Sequence, residues 1–80
     1  MKYRVQFIED YTNVVEETLV DAKDATIYHV IADYCDKYNY NTTQALLIFK
    51  KYDRLEMFTA WPLSFEDKKW TALKVEKVED

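Results

Sequence analysis

Asp24-Ala25-Thr26-Ile27-Tyr28-His29-Val30-Ile31-Ala32-Asp33-Tyr34-Cys35-Asp36-Lys37-Tyr38 is the stretch on which the fold turns. Apolar side chains recur at Ile27, Tyr28, Val30, Ile31, Tyr34, Cys35 and Tyr38. At roughly 100° per residue they fill one sector of about 160°, while Thr26, His29, Asp33, Asp36 and Lys37 fall on the other side. Asp24 is a natural N-cap. Tyr38-Asn39-Tyr40-Asn41 closes the segment, with asparagine where glycine is usual. The spacing predicts one amphipathic helix whose apolar stripe must be covered by another layer.

Working outward toward the amino terminus, Tyr3, Val5 and Phe7 alternate with Lys2, Arg4 and Gln6, the period of a half-buried strand. Asp10-Tyr11-Thr12-Asn13 reads as a turn, and a second strand is expected from about Val14 to Ala22. Val14, Glu16, Thr18, Val20 and Ala22 would share a face, and Glu16 on it predicts a bulge or an exposed strand end. Toward the carboxyl terminus, Leu46-Leu47-Ile48-Phe49, continuing to about Tyr52, reads as a third strand. Asp53-Arg54 is a turn, Leu55 to Trp61 a fourth strand stopped by Pro62, and Ser64-Phe65-Glu66-Asp67 one capped helical turn. Thr71, Leu73 and Val75 alternate with Ala72, Lys74 and Glu76, which predicts a fifth strand.

The 80 residues contain no glycine, where average usage of roughly 7 % would place five or six. That excludes phosphate loops, dinucleotide fingerprints and nucleophile elbows, all of which need glycine for close backbone approach. Asn13, Asn39, Asn41 and Asp53 are left to take the turn conformations that glycine would otherwise supply.

One domain over residues 1–80 is the reading from length, and 49 % hydrophobic with 16 % aromatic content suits a packed core. No apolar run reaches the roughly 18 residues of a membrane span. Met1-Lys2-Tyr3-Arg4-Val5 reads as a strand rather than a signal peptide, and Cys35 stands alone, so a reducing cytoplasmic setting is expected. The sequon at Asn41-Thr42-Thr43 is then read as chance. Net charge is −4, all of it in residues 1–40, where four bases face eight acids; residues 41–80 hold seven of each. An acidic balance disfavours nucleic acid and favours a partner with a basic surface.

The element order β-β-α-β-β-β around one amphipathic helix makes this an α+β chain that resembles the β-grasp layout of ubiquitin-like domains. The resemblance covers nearly the whole chain and rests on layout alone. The chain ends Lys77-Val78-Glu79-Asp80 without a diglycine tail, so the resemblance implies a fold and no conjugation. A four-stranded antiparallel ββαββ sheet with the helix on one face and an edge C-terminal strand is the alternative. In build, a short acidic chain linking hairpin to helix through Val20-Asp21-Ala22-Lys23-Asp24-Ala25 is also similar to small phage-encoded inhibitors of host enzymes or defences. That similarity implies stoichiometric protein binding.

Catalytic constellations are weak. His29 and Cys35 lie six positions apart on opposite sides of the helix, beyond the reach of a thiol–imidazole pair, so Cys35 is expected in the core and His29 in solvent. One histidine and one buried thiol make a poor zinc site. Asp33 and Asp36 read as a solvated helix face. No catalytic, cofactor or metal residue is assigned, and a non-enzyme is expected.

The aromatic surplus remains. Tyr3, Phe7, Tyr28, Tyr34 and Phe49 are expected in the core. Tyr11, Tyr40, Tyr52, Trp61 and Trp70, with the acids Glu16, Glu17, Asp33 and Asp36, are the candidate partner-binding residues. The function expected is a protein-binding inhibitor or adaptor, monomeric or homodimeric. The alternative is an RNA or single-strand binder using exposed aromatics with Lys50, Lys51, Arg54, Lys68 and Lys69.

Overall fold

The computed structural model describes residues 2–21, 26–62 and 68–78, and the side chains among them outside 60–62 and 68–69. The N-cap expected at Asp24, the strand end at Ala22 and the helical turn at Ser64–Asp67 lie outside the described residues. The order is β1 (Lys2–Glu9), β2 (Asn13–Asp21), α1 (Thr26–Tyr38), α2 (Thr42–Tyr52), β3 (Leu55–Pro62) and β4 (Lys68–Val78). All three strand pairs are antiparallel, and the sheet order is β2-β1-β4-β3.

The α+β single domain stands, and two expectations within it change. Leu46 to Tyr52 is the body of a second helix, not a strand. Asn41 caps it, its side chain accepting from the Gln44 N–H at 2.9 Å, so this asparagine begins α2 as well as following α1. Ala45 and Phe49 are buried four residues apart, with Ile48 half-buried beside them, which is helical periodicity hidden inside an unbroken apolar run. The C-terminal strand is interior rather than an edge: β4 pairs with β1 on one side and β3 on the other. With four strands, all antiparallel, the molecule follows the four-stranded alternative with a second helix added.

Both helices lie on one face of the sheet. The core between the layers holds Tyr3, Val5, Phe7, Val20, Leu55, Leu73 and Val75 from the strands, and Ile27, Ile31, Tyr34, Cys35, Ala45 and Phe49 from the helices. Each large side chain buried there contributes roughly 1.5–3 kcal/mol. Phe49 takes the edges of Tyr3 and Tyr28, at ring-centroid distances of 5.3 and 5.6 Å, and Phe7 stacks on Tyr38. Cys35 is fully buried as a free thiol, and burial pushes its pKa up against a hydrogen bond from Thr42.

Four residues take the left-handed backbone: Asp10 (φ 51°), Tyr11 (φ 70°), Asn39 (φ 61°) and Asp53 (φ 58°). Asn39 and Asp53 do so as expected, whereas Asn13 and Asn41 do not; Asn13 already belongs to β2, and Asn41 is extended to cap α2. Asn39 ends α1 with the Tyr40 N–H bonded back to the Cys35 carbonyl at 2.9 Å, a Schellman closure. Asp53 ends α2 with its N–H on the Phe49 carbonyl. A carboxylate at a helix C-terminus opposes the helix dipole. Here Lys77 and the Tyr3 hydroxyl engage it and hold its pKa below the usual carboxylate range, Lys77 contributing most. The contact ties the end of α2 to β4 and β1.

Candidate functional site

With two helices on one face, the other face of the sheet is left uncovered by any described element. Strand alternation decides what it carries. Tyr3, Val5 and Phe7 point to the helices, so Lys2, Arg4, Gln6 and Ile8 point away. Register then sets the rows across the sheet. Asp21, Lys2 and Val78 form one; Leu19, Arg4 and Glu76 the next; Glu17, Gln6, Lys74 and Glu56 a third. The fourth row, Val14–Ile8–Ala72–Phe58, is apolar across all four strands.

The second and third rows are joined by ion pairs. Arg4 Nε lies 2.7 Å from Glu17 Oε1 as an ion pair, although its N–H is not aligned for a hydrogen bond, and Arg4 Nη1 lies 3.3 Å from Glu76. Lys74 reaches the same Glu76 at 3.6 Å. These are surface pairs, worth about 0–1 kcal/mol each, which organise the face more than they stabilise it.

The apolar row is flanked on one side by two rings. Trp70, one step along β4, is 39 % exposed, and Tyr11 in the β1–β2 turn is 68 % exposed, their centroids 5.8 Å apart. The Asp10 N–H donates to the Trp70 carbonyl at 2.8 Å, which fastens the turn to β4 and sets Tyr11 beside the indole. Tyr11 is held in the left-handed region, an uncommon conformation for a bulky residue, and strain of this kind gathers where position matters more than local energy. Ile8, Phe58, Ala72 and these two rings line a shallow hollow together with Glu56, Thr71 and Lys74.

The sequence-predicted residues are distributed as follows. Tyr11 and Trp70 come together on the open face, and Glu17 borders its apolar row. Glu16 turns inward and joins Lys37 and the Tyr38 hydroxyl of α1, Lys37 foremost in holding its pKa low. It is the polar residue that perturbs the inner face of β2, and the expected bulge lies next to it, where the β1 register shifts between Phe7 and Ile8 and leaves Val15 over. Tyr40 is buried, its hydroxyl 2.7 Å from Thr71 Oγ1. Tyr52 is exposed at the end of α2 under Lys51, and Asp33 and Asp36 are exposed on α1; all three are remote from the open face in the element layout. The Trp61 side chain lies outside the described residues. Among the described residues no group of three His, Cys, Asp or Glu is placed to hold a metal ion, and no helix is long and apolar enough to cross a membrane.

Ile8, Val14, Phe58 and Ala72 were not among the expected contact residues. Their signal was present as alternation: once Leu55 and Met57 face the core, Phe58 cannot. Compared with protein-family models, curated proteins and solved structures, the chain matches none of them.

Proposed function

We propose that this chain is a non-catalytic protein-binding module, a small acidic inhibitor or adaptor that acts by occupying a partner's surface with its open sheet face. The observation that carries the reading is the apolar row Val14–Ile8–Ala72–Phe58 with Tyr11 and Trp70 beside it. At roughly 150–250 Å² per ring, the exposed fractions of Tyr11, Phe58 and Trp70 alone present about 300 Å². The largest apolar patch of a typical monomer is of that order and is often functional, and Tyr and Trp are the residues that most often dominate an interface. Glu17, Gln6, Lys74 and Glu56 form the polar border of the row, with Glu17 already paired to Arg4. A cytoplasmic setting goes with this reading. The form suggested by the build, a phage-encoded blocker of a host enzyme or defence protein, is its most specific version.

Rings on an open sheet are also a platform for base stacking, which favours single-stranded nucleic acid as the second reading. Of the cations expected for it, Lys50 and Lys51 belong to α2 in the other layer, Arg54 is exposed between α2 and β3, and the side chains of Lys68 and Lys69 lie outside the described residues. Arg4 and Lys74 on the open face are engaged with Glu17 and Glu76.

The test is capture by the immobilised chain from cell extract, run beside the Tyr11→Ala/Trp70→Ala double variant. A protein partner should be retained by the wild type and bound at least tenfold more weakly by the variant, with little salt dependence. Equal retention by both would overturn the reading. Recovery of nucleic acid with affinity falling steeply as salt rises would establish the second one.

A further inference from the structure

The order β2-β1-β4-β3 leaves two edge strands, and they are treated differently. Alternate N–H and C=O groups along an edge have no partner, so proteins usually blunt such strands with bulges, charges or proline. β2 is blunted: it is bulged at Val15 and carries Glu16, Glu17 and Asp21 within nine residues. β3 has none of this over Leu55 to Trp61. Its register against β4 runs unbroken, its one ionisable residue is Glu56, and proline stands only at its last position. Among the described residues the helix beside it does not roof it either. One open cleft lies at the start of the strand, lined by Ile48, Tyr52, Arg54 and Leu55 with Lys74 and Glu76 of β4, and a second lies between α2 and β3, lined by Gln44, Ile48, Met57 and Thr59.

We propose that the free edge of β3 is a homodimer contact, two copies pairing β3 antiparallel about a two-fold axis at Phe58 to join their sheets into one of eight strands. A second copy fits this edge residue by residue. With Phe58 opposite its own symmetry mate, Met57 stands opposite Thr59 and Glu56 opposite Ala60, so no like charges meet. The two phenylalanines come within cross-strand reach, roughly 4.5–5.5 Å between Cβ atoms. The apolar row Val14–Ile8–Ala72–Phe58 then continues, reversed, into Phe58–Ala72–Ile8–Val14 of the second copy. At about 4.8 Å per strand the band would run roughly 34 Å across the joined sheet. Self-pairing of β2 would instead concentrate six acids around its axis. An interface of this kind is isologous and closed, so assembly stops at two.

The experiment is sedimentation equilibrium of the full chain from about 1 to about 300 µM, the range in which a weak specific association shows itself. The expected result is a mass rising from one chain to two. Phe58→Lys places two like charges at the axis and should hold the protein at one chain mass throughout, with unchanged circular dichroism because the ring is 60 % exposed. Leu19→Lys, equally exposed on β2, should dimerise like the wild type. A short thiol cross-linker should join Phe58→Cys chains in pairs and leave Leu19→Cys chains single, since Cys35 is buried. One chain mass at every concentration, a dimer that survives Phe58→Lys, or cross-linking through position 19 would each overturn the proposal. The contact leaves Tyr11 and Trp70 free, so a monomer that still captures a partner through those rings refutes the dimer and not the partner-binding reading.

Discussion

Tyr11 offers a measurement of how much stability the open face costs. Its backbone sits at φ 70°, where a residue with a Cβ is disfavoured by roughly 1–2 kcal/mol. Replacing it with alanine removes the ring and keeps the strained backbone; replacing it with glycine removes both. The difference between the two variants therefore reports the backbone alone. Glycine recovers the 1–2 kcal/mol and gives back about 0.4–1 kcal/mol through its more flexible unfolded chain, leaving it about 1 kcal/mol more stable than alanine. At a position of ordinary negative φ the sign is opposite, glycine being the weaker by about 0.5–1 kcal/mol. Urea unfolding followed by tryptophan fluorescence resolves a gap of this size, and in a melt it corresponds to about 4–8 °C. On the proposed protein-binding reading both variants should bind a partner equally weakly, because neither has the ring. A glycine variant no more stable than the alanine one would refute the argument that Tyr11 is held in position at a cost.

Ile31 is fully buried between the layers, and Ile31→Ala should cost about 2–5 kcal/mol, read as a lower urea midpoint or, in so small a domain, as loss of cooperative unfolding. Tyr40→Phe deletes the hydroxyl bonded to Thr71 and should cost about 1 kcal/mol in the same assay, with the fold intact. Glu16 and Asp53 both have pKa values lowered by folding, from 4.5 and 3.8, so the stability they contribute is present above those values and is lost as pH falls through the folded ones. The urea midpoint should therefore decline below about pH 4, and Glu16→Gln should make that decline shallower. Tyr3 behaves in the opposite sense. Burial, helped by its hydrogen bond to Asp53, pushes its pKa from 10.0 up to about 12, so its contribution is complete below pH 10 and disappears toward pH 12, to be followed by phenolate absorbance.

Much of this fold is written as alternation and periodicity. The strands from Lys2 to Glu9 and Thr71 to Glu76, and the helix from Thr26 to Tyr38, are legible because one face of each is more apolar than the other, and Leu55 to Trp61 is legible as a run bounded by the Asp53-Arg54 turn and Pro62. Leu46-Leu47-Ile48-Phe49 is not legible in that way, since four apolar residues in succession fit a strand buried on both faces as well as a helix. The deciding residues lay at its ends: Asn41 three before Gln44, and Lys50-Lys51 ahead of a left-handed Asp53. Strand order was illegible for a different reason, because nothing local in Leu73-Lys74-Val75 distinguishes a central strand from an edge. The contact face followed the same division. Tyr11 and Trp70 stood out as aromatics among polar neighbours, whereas Phe58 and Ile8 became surface residues only once both helices were known to share one side.

The uncovered face has a consequence for how this protein can change over generations. Along the two central strands, neighbouring residues answer to different demands: Val5, Phe7, Leu73 and Val75 to close packing with the helices, Gln6, Ile8 and Lys74 to whatever meets the outside. A substitution in the second set leaves the first largely undisturbed, so the outer face can drift by single mutations while the scaffold keeps its stability. A two-layer molecule of this kind keeps that freedom at the standing expense of an apolar surface that a three-layer fold would have hidden.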